Sequence, residues 1–205
     1  FQEHQYGHRA YIKELKLAKN LIKKYHLKDM NFKVIDERTA ELGPVVTSMT
    51  YKKGAWFLHM LREKMGHENF KMGIKAYYKK YYNGHASTAD FICEMELFTT
   101  EDLDTFLNQW LKRPEMLEII ANWSFDEKLG QINLTLTQKT NSEILFDVPV
   151  EFEFHFTDGM DPILFEAKIS TSKVNYEIPV KMKPKIIIAD PKTVLLAEIR
   201  VTEKR

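Results

Sequence analysis

At 205 residues, with 44% apolar and 29% charged side chains, the chain has room for one large domain or two small ones, each with a core of its own. A net charge of +1 argues against a surface dedicated to nucleic acid or to an anionic membrane, which normally carries a marked excess of one sign. No apolar run approaches the length of a membrane span, and the single cysteine, Cys93, cannot form an internal disulfide.

The first half reads as helices. His4-Gln5-Tyr6-Gly7-His8 has the i, i+4 histidine spacing of a helical zinc site. A glutamine stands where a general base is needed, however, and a neutral amide takes no proton from water. Gly7 weakens a helix by about 1 kcal/mol relative to alanine, and no third ligand follows at a suitable spacing. The histidines, and Glu3 beside them, therefore read as surface residues, and none is nominated as a metal ligand. Leu15, Ala18, Leu21 and Ile22 share one face of a long first helix that runs out near Tyr25-His26-Leu27. A loop is predicted from Lys28 to about Met49, with Gly43-Pro44 as its clearest breaker.

Thr50 is the expected N-cap of a helix over Tyr51–Met65, apolar on nearly every side and so suited to burial in a bundle, with Gly66 as its C-cap. Phe70, Ile74, Tyr77 or Tyr78 and Tyr81 mark the next helix, closed by Asn83-Gly84. Thr88 or Ser87 caps a helix to Glu96, Thr99 or Thr100 caps another through Trp110, and Pro114 ends the helical half.

After Pro114 the period changes to two. Ile132, Leu134 and Leu136 alternate with Asn133, Thr135 and Thr137; Val148, Val150, Phe152, Phe154 and Phe156 alternate with Pro149, Glu151, Glu153 and His155. Asp158-Gly159 signals a turn, and strands are predicted at 163–169, 174–180, 185–189 and 195–201. Six or seven short strands at this spacing suggest a small β-sandwich, with Pro149 and Pro179 at edges or bulges. The expected fold class is thus α+β, a helical bundle over 1–114 followed by a small antiparallel β-sandwich over 115–205.

The segment richest in chemistry is Tyr51-Lys52-Lys53-Gly54-Ala55-Trp56 with Leu58-His59-Met60-Leu61-Arg62. A phenol in a first helical turn is a hydrogen-bond donor near the positive end of a helix dipole, a good place to meet a developing negative charge. The segment resembles zinc aminopeptidases of the aminopeptidase N type, whose Tyr-x-Lys-Gly-Ala motif opens a helix continuing in Leu-His-Met-Leu-Arg. The resemblance runs on through Gly66, Phe70, Tyr77, Tyr78, the stretch from Thr88 to Phe91, Trp110-Leu111 and Arg113-Pro114. Trp123-Ser124-Phe125, Gln138 and Ile187-Ile188-Ala189-Asp190-Pro191 look like the β domain that follows the catalytic one in that family.

The resemblance implies removal of N-terminal residues from peptides. A zinc-bound water attacks the first peptide bond, and the tyrosine, here Tyr51, donates a hydrogen bond to the oxyanion. Gly54 is expected to let a neighbouring helix pack closely, with Lys53 and His59 structural. The family's His-Glu-x-x-His motif and further glutamate do not occur between Phe1 and Arg205, so zinc belongs to an intact parent and the chain reads as an inactive C-terminal piece of it. Lys52 stands at a position often acidic in the family, and Arg113-Pro114-Glu115 replaces an Arg-Pro-Gly turn.

Two rival readings come from other classes. A parent without the zinc ligands would be a non-catalytic scaffold for protein–protein interaction. Lys71, Lys75, Lys79 and Lys80 interleaved with Tyr77, Tyr78, Tyr81 and Tyr82 could suggest nucleic-acid binding, but helical spacing accounts for them as an apolar tyrosine face beside a solvated lysine face. The sandwich is read as an accessory domain that buttresses the catalytic one.

Overall fold

The computed structural model describes residues 2–36, 47–140, 144–157 and 160–204. The expected breakers at Gly43-Pro44 and Asp158-Gly159 lie outside the described residues. The architecture is α+β, and the chain divides into two compact units, Leu17–Pro114 and Phe1–Lys16 together with Glu115–Arg205. Among the described residues no helix is long and apolar enough to cross a membrane.

Two helices open the chain, α1 (Gln2–Tyr6) and α2 (His8–His26). Gly7 separates them at φ 80°, a left-handed backbone that glycine adopts without a Cβ penalty. His4 and His8 therefore do not share one continuous helical face, and His8 Nδ1 instead pairs with Glu3 Oε1 at 2.7 Å. On α2 the expected apolar face is only partly buried: Leu15 and Ile22 are covered, whereas Leu21 is half exposed.

The helical unit continues with α3 (Ser48–Met65), α4 (His67–Lys80), α5 (Thr88–Glu96) and α6 (Leu103–Leu111). Trp56, Leu61, Ile92, Met95 and Leu103 are its deepest side chains. Phe57 of α3 meets Phe106 of α6 with ring centroids 5.3 Å apart. Gly73 has a specific role, since a Cβ there would stand 2.7 Å from the Met95 sulfur. Gly66, at φ 78°, ends α3 and leads directly into α4.

Caps decide where these helices begin. Ser87 caps α5, exchanging bonds with Asp90: the Asp90 N–H donates to Ser87 Oγ (3.1 Å) and the Ser87 N–H to Asp90 Oδ2 (2.8 Å). The cap of α6 is Asp102 rather than Thr99 or Thr100; its carboxylate accepts from the Thr105 N–H at 2.8 Å and from the Thr105 hydroxyl at 2.6 Å. A carboxylate at an N-terminus also faces the positive end of the dipole, an advantage a threonine hydroxyl lacks. Thr99 Oγ1 serves the turn before, accepting from the Glu101 N–H.

The second unit holds two sheets. Strands β1 (Leu117–Asp126), β2 (Gln131–Lys139), β5 (Lys173–Pro179) and β7 (Ala197–Glu203) form one in the order β5-β2-β1-β7; β3 (Val148–His155), β4 (Ile163–Ile169) and β6 (Ile186–Ala189) form the other in the order β4-β3-β6. Pairing is antiparallel except for β1 with β7, which is parallel. Inward positions of β1, β2 and β3 alternate as their pleat requires: Leu117, Ile119, Ala121; Ile132, Leu134, Leu136; Val150, Phe152, Phe154, all nearly inaccessible. Pro149 lies where β3 has run past the end of its pairing with β6, and Pro179 closes β5, at the edge of its sheet. Neither proline's missing N–H therefore interrupts a ladder on both sides.

One inward position is polar. Gln138 is buried, with Nε2 donating to the Phe146 carbonyl (3.0 Å) and the Thr171 carbonyl (2.9 Å) and Oε1 accepting from the Phe146 N–H (2.9 Å). The amide thus pins two connecting segments to the end of β2. Asp190, at φ 49°, folds its carboxylate over the N–H groups of Val194 (2.7 Å) and Leu195 (3.0 Å) and shapes the approach to β7.

Candidate active site

Helix α3 carries the tyrosine motif, and its start differs from the expected one. Thr47, with extended φ −107° and ψ 165°, is the N-cap. Its hydroxyl accepts from the Thr50 N–H at 3.3 Å while the Thr50 hydroxyl accepts from the Thr47 N–H at 3.3 Å. Two threonines three residues apart can satisfy each other's backbone, and the earlier one then becomes the cap. Thr50 is consequently one turn inside, and Tyr51 closes that turn, its N–H reaching the Thr47 carbonyl at 3.4 Å.

From there the motif splits between two sides of the helix. Tyr51 is 70% exposed, and among the described residues its hydroxyl has no partner. Lys52 and Ala55 are exposed too, and Leu58 is 40% exposed, so 51, 55 and 58 trace one open helical stripe. Lys53 points the other way: it is 6% exposed, and its ammonium donates to the Arg113 carbonyl at 3.1 Å. A cation on a carbonyl just past the end of α6 complements the negative pole of that helix. His59 is buried as well, edge-on to Trp56 with ring centroids 6.2 Å apart.

Gly54 does not do what was expected of it. A Cβ at this position would meet nothing within 4 Å, so no described element packs closely there. The close approach of helices occurs instead at Gly73. Among the described residues no three His, Cys, Asp or Glu side chains gather to hold a metal ion.

Residues 3–110 match the peptidase family M1 domain. The chain belongs to that family. Aminopeptidase N of Haemophilus influenzae is 28% identical over 111 residues, covering 54% of this chain and 13% of the relative. Aminopeptidase M1-D of Oryza sativa subsp. japonica is 30% identical over 135 residues, 65% of this chain and 15% of the relative. The M1 chain therefore spans a small fraction of the length of the relatives it matches. Its fold is similar to that of Legionella pneumophila aminopeptidase A, solved in complex with aspartic acid, with a TM-score of 0.70 at 15% identity, covering 97% of this chain and 22% of that one.

Lys53 and His59 both face inward, as their reading as structural residues requires, but their partners are not legible in the sequence. The Lys53 acceptor lies 60 residues further on, and nothing local marks Arg113 as its counterpart. The split of the M1 motif between an anchored lysine and an open tyrosine follows from helical phase, since residues two apart lie on different sides.

Proposed function

We propose that this chain is part of a zinc aminopeptidase that removes N-terminal residues from peptides, and that Tyr51 is the residue through which it acts on the substrate. In this reading residues 1–114 belong to the catalytic domain and 115–205 form an accessory sandwich. The observation that supports it most is the disposition of α3: Lys53 and His59 anchor the helix from behind while Tyr51 stands exposed at its first turn with an uncommitted hydroxyl.

During peptide-bond hydrolysis the carbonyl oxygen gathers negative charge as the carbon becomes tetrahedral. The Tyr51 O–H donates a hydrogen bond to that oxygen; the phenol keeps its proton, and the stabilisation is greater for the oxyanion than for the ground-state carbonyl. The positive end of α3 adds to it. The metal of such a peptidase has to be held by residues outside this chain, and the 205-residue chain alone is inactive because a hydrogen-bond donor supplies no activated nucleophile. The open stripe of Tyr51, Ala55 and Leu58 fits a helix whose exposed side is completed by the rest of a larger domain.

The test is Tyr51→Phe in the full-length aminopeptidase that contains this chain. Removing the hydroxyl while keeping the ring should lower kcat by about 10²- to 10³-fold with KM little changed. Turnover at the wild-type level would remove Tyr51 from the chemistry, and turnover by the isolated chain on an aminoacyl anilide would overturn its assignment as an inactive piece.

A further inference from the structure

The C-terminal end of α4 carries a feature that the aminopeptidase reading does not use. Tyr77, Tyr78, Tyr81 and Tyr82, with Asn83 and Gly84, line a pocket of about 240 Å³. Two i, i+4 pairs build it: Tyr77 beside Tyr81, ring centroids 5.2 Å apart, and Tyr78 beside Tyr82, 5.5 Å apart. The inner pair is held. Tyr77 stands edge-on to Phe91 at 5.1 Å, and the Tyr81 hydroxyl donates to Asp90 Oδ1 at 3.2 Å. Asn83, at φ 55°, and the Gly84 N–H, bonded to the Tyr81 carbonyl at 2.9 Å, turn the chain back on itself at the end of the helix.

The outer pair has no such anchoring. Tyr78 is 66% exposed and Tyr82 63%, and neither hydroxyl has a partner among the described residues. Two aromatic rings left in water beside two that are fixed make a half-built cage rather than a packed core.

Three features favour a positive guest. Aromatic faces carry a negative quadrupole that attracts cations, most strongly when several rings surround one charge. The last carbonyls of α4 present the negative end of its dipole at the same place. Asp90 lies behind Tyr81, its carboxyl held below the usual carboxylate range by hydrogen bonds from Ser87. The cations of the same segment are Lys79 and Lys80. Lys80 is bound to Glu94 at 2.6 Å and lies 5.4 Å from the Tyr81 ring centre without lining the pocket, and Lys79 is exposed and does not line it either. Volume narrows the class further, because drug-sized ligands occupy about 300–1,000 Å³. This pocket suits a single head group.

We propose that the tyrosine pocket at the C-terminal end of α4 binds a methylated ammonium group. Its methyls would lie against the four rings while its charge meets the ring faces and the helix carbonyls. The proposal does not depend on the aminopeptidase reading and uses neither Tyr51 nor a metal.

The test is an NMR titration of the full chain with isotope-labelled tyrosine, using choline as probe and, in parallel, its neutral carbon isostere with a quaternary carbon in place of the nitrogen. Choline should give saturable shifts of the Tyr78 and Tyr82 signals and bind about tenfold more tightly than the isostere. Tyr78→Phe, which keeps the ring, should retain binding, while Tyr78→Ala and Tyr82→Ala should each weaken it about tenfold. Both positions are exposed, so unchanged helical circular dichroism will show that the fold survives. A third titration with a blocked trimethyllysine separates the sources: tighter binding than choline assigns the guest to a polypeptide side chain, weaker binding to a free small molecule. Equal affinity for choline and its isostere, wild-type affinity in the alanine variants, or no saturable shift would overturn the proposal.

Discussion

In the sandwich unit, inward and outward side chains alternate along β1, β2 and β3, and a buried polar residue, Gln138, closes the core by bonding the backbone of two connecting segments. In the helical unit Lys53, His59 and Glu94 are buried, and Lys53 secures one side of a helix whose other side stays open. α3 shows Tyr51, Ala55 and Leu58 to solvent, and on α2 Leu17 and Leu21 are about half exposed. The sandwich uses its polar contact to finish a core, whereas the helical unit uses one to hold a presenting surface in place. Order is thus concentrated where strands pair, and open surface where a helix is packed on one side alone.

The sharpest way to break this comparison is at Trp56, 1% exposed and central to the anchored side of α3. Trp56→Ala should cost about 3–5 kcal/mol in urea unfolding, and the signal of Trp123, in the sandwich, offers a separate report on the other unit. A cost under about 1 kcal/mol would mean that α3 is not the pillar of its unit.

Gln138→Leu comes next. It keeps the volume approximately but removes the hydrogen bonds that the Gln138 amide makes with the Phe146 N–H and with the Phe146 and Thr171 carbonyls, so the sandwich should lose about 2–3 kcal/mol. A neutral outcome would reduce Gln138 to a bystander in an apolar core. Thr47→Ala removes the hydroxyl that caps α3 and should cost about 1 kcal/mol by thermal unfolding. In the full-length peptidase it should also weaken turnover, since Tyr51 closes the turn that Thr47 begins; full activity with lowered stability would separate the cap from the site.

The smallest effect concerns acid. Hydrogen bonds from the Thr105 side chain and backbone hold the Asp102 carboxyl below its ordinary value of 3.8. A depressed folded-state value means that its stabilising contribution is complete above the ordinary value and is lost as the pH falls through the folded one. Asparagine caps a helix nearly as well but does not titrate. Asp102→Asn should therefore lie slightly below the wild type in Tm at neutral pH and converge with it in acid, once the pH has fallen below the folded-state value. A constant offset at both would show that the charge contributes nothing to α6.

Much of the strand pattern was legible because alternation is a local property: each inward residue of β2 and β3 follows from a period of two. β1 was harder to see as a strand, since Ile119-Ile120-Ala121 breaks the alternation, and its pairing with β2 and β7 supplies the order. Helix starts were misjudged where several capping residues crowd together. Thr47, Ser48 and Thr50 compete for α3, and Thr99, Thr100 and Asp102 for α6; the winner depends on which residue adopts extended backbone with its oxygen aimed at the following N–H groups. Gly54 was misread because a glycine on a helix signals either a close approach or merely an open surface, and the sequence contains no sign of which helix lies opposite.

Read alone, the sequence determined the α+β class, the change of period at Pro114 and the motif that places the chain among the M1 peptidases, because periodicity and motif spacing are written in neighbouring residues. Only the tertiary structure decided that Lys53 is tied to Arg113 while Tyr51 is left free, that Gly73 rather than Gly54 admits a neighbouring helix, and that four tyrosines line one pocket. Each of these depends on residues brought together from distant or differently phased positions, and hydrogen-bond and van der Waals contacts act over a few ångströms of space rather than along the chain.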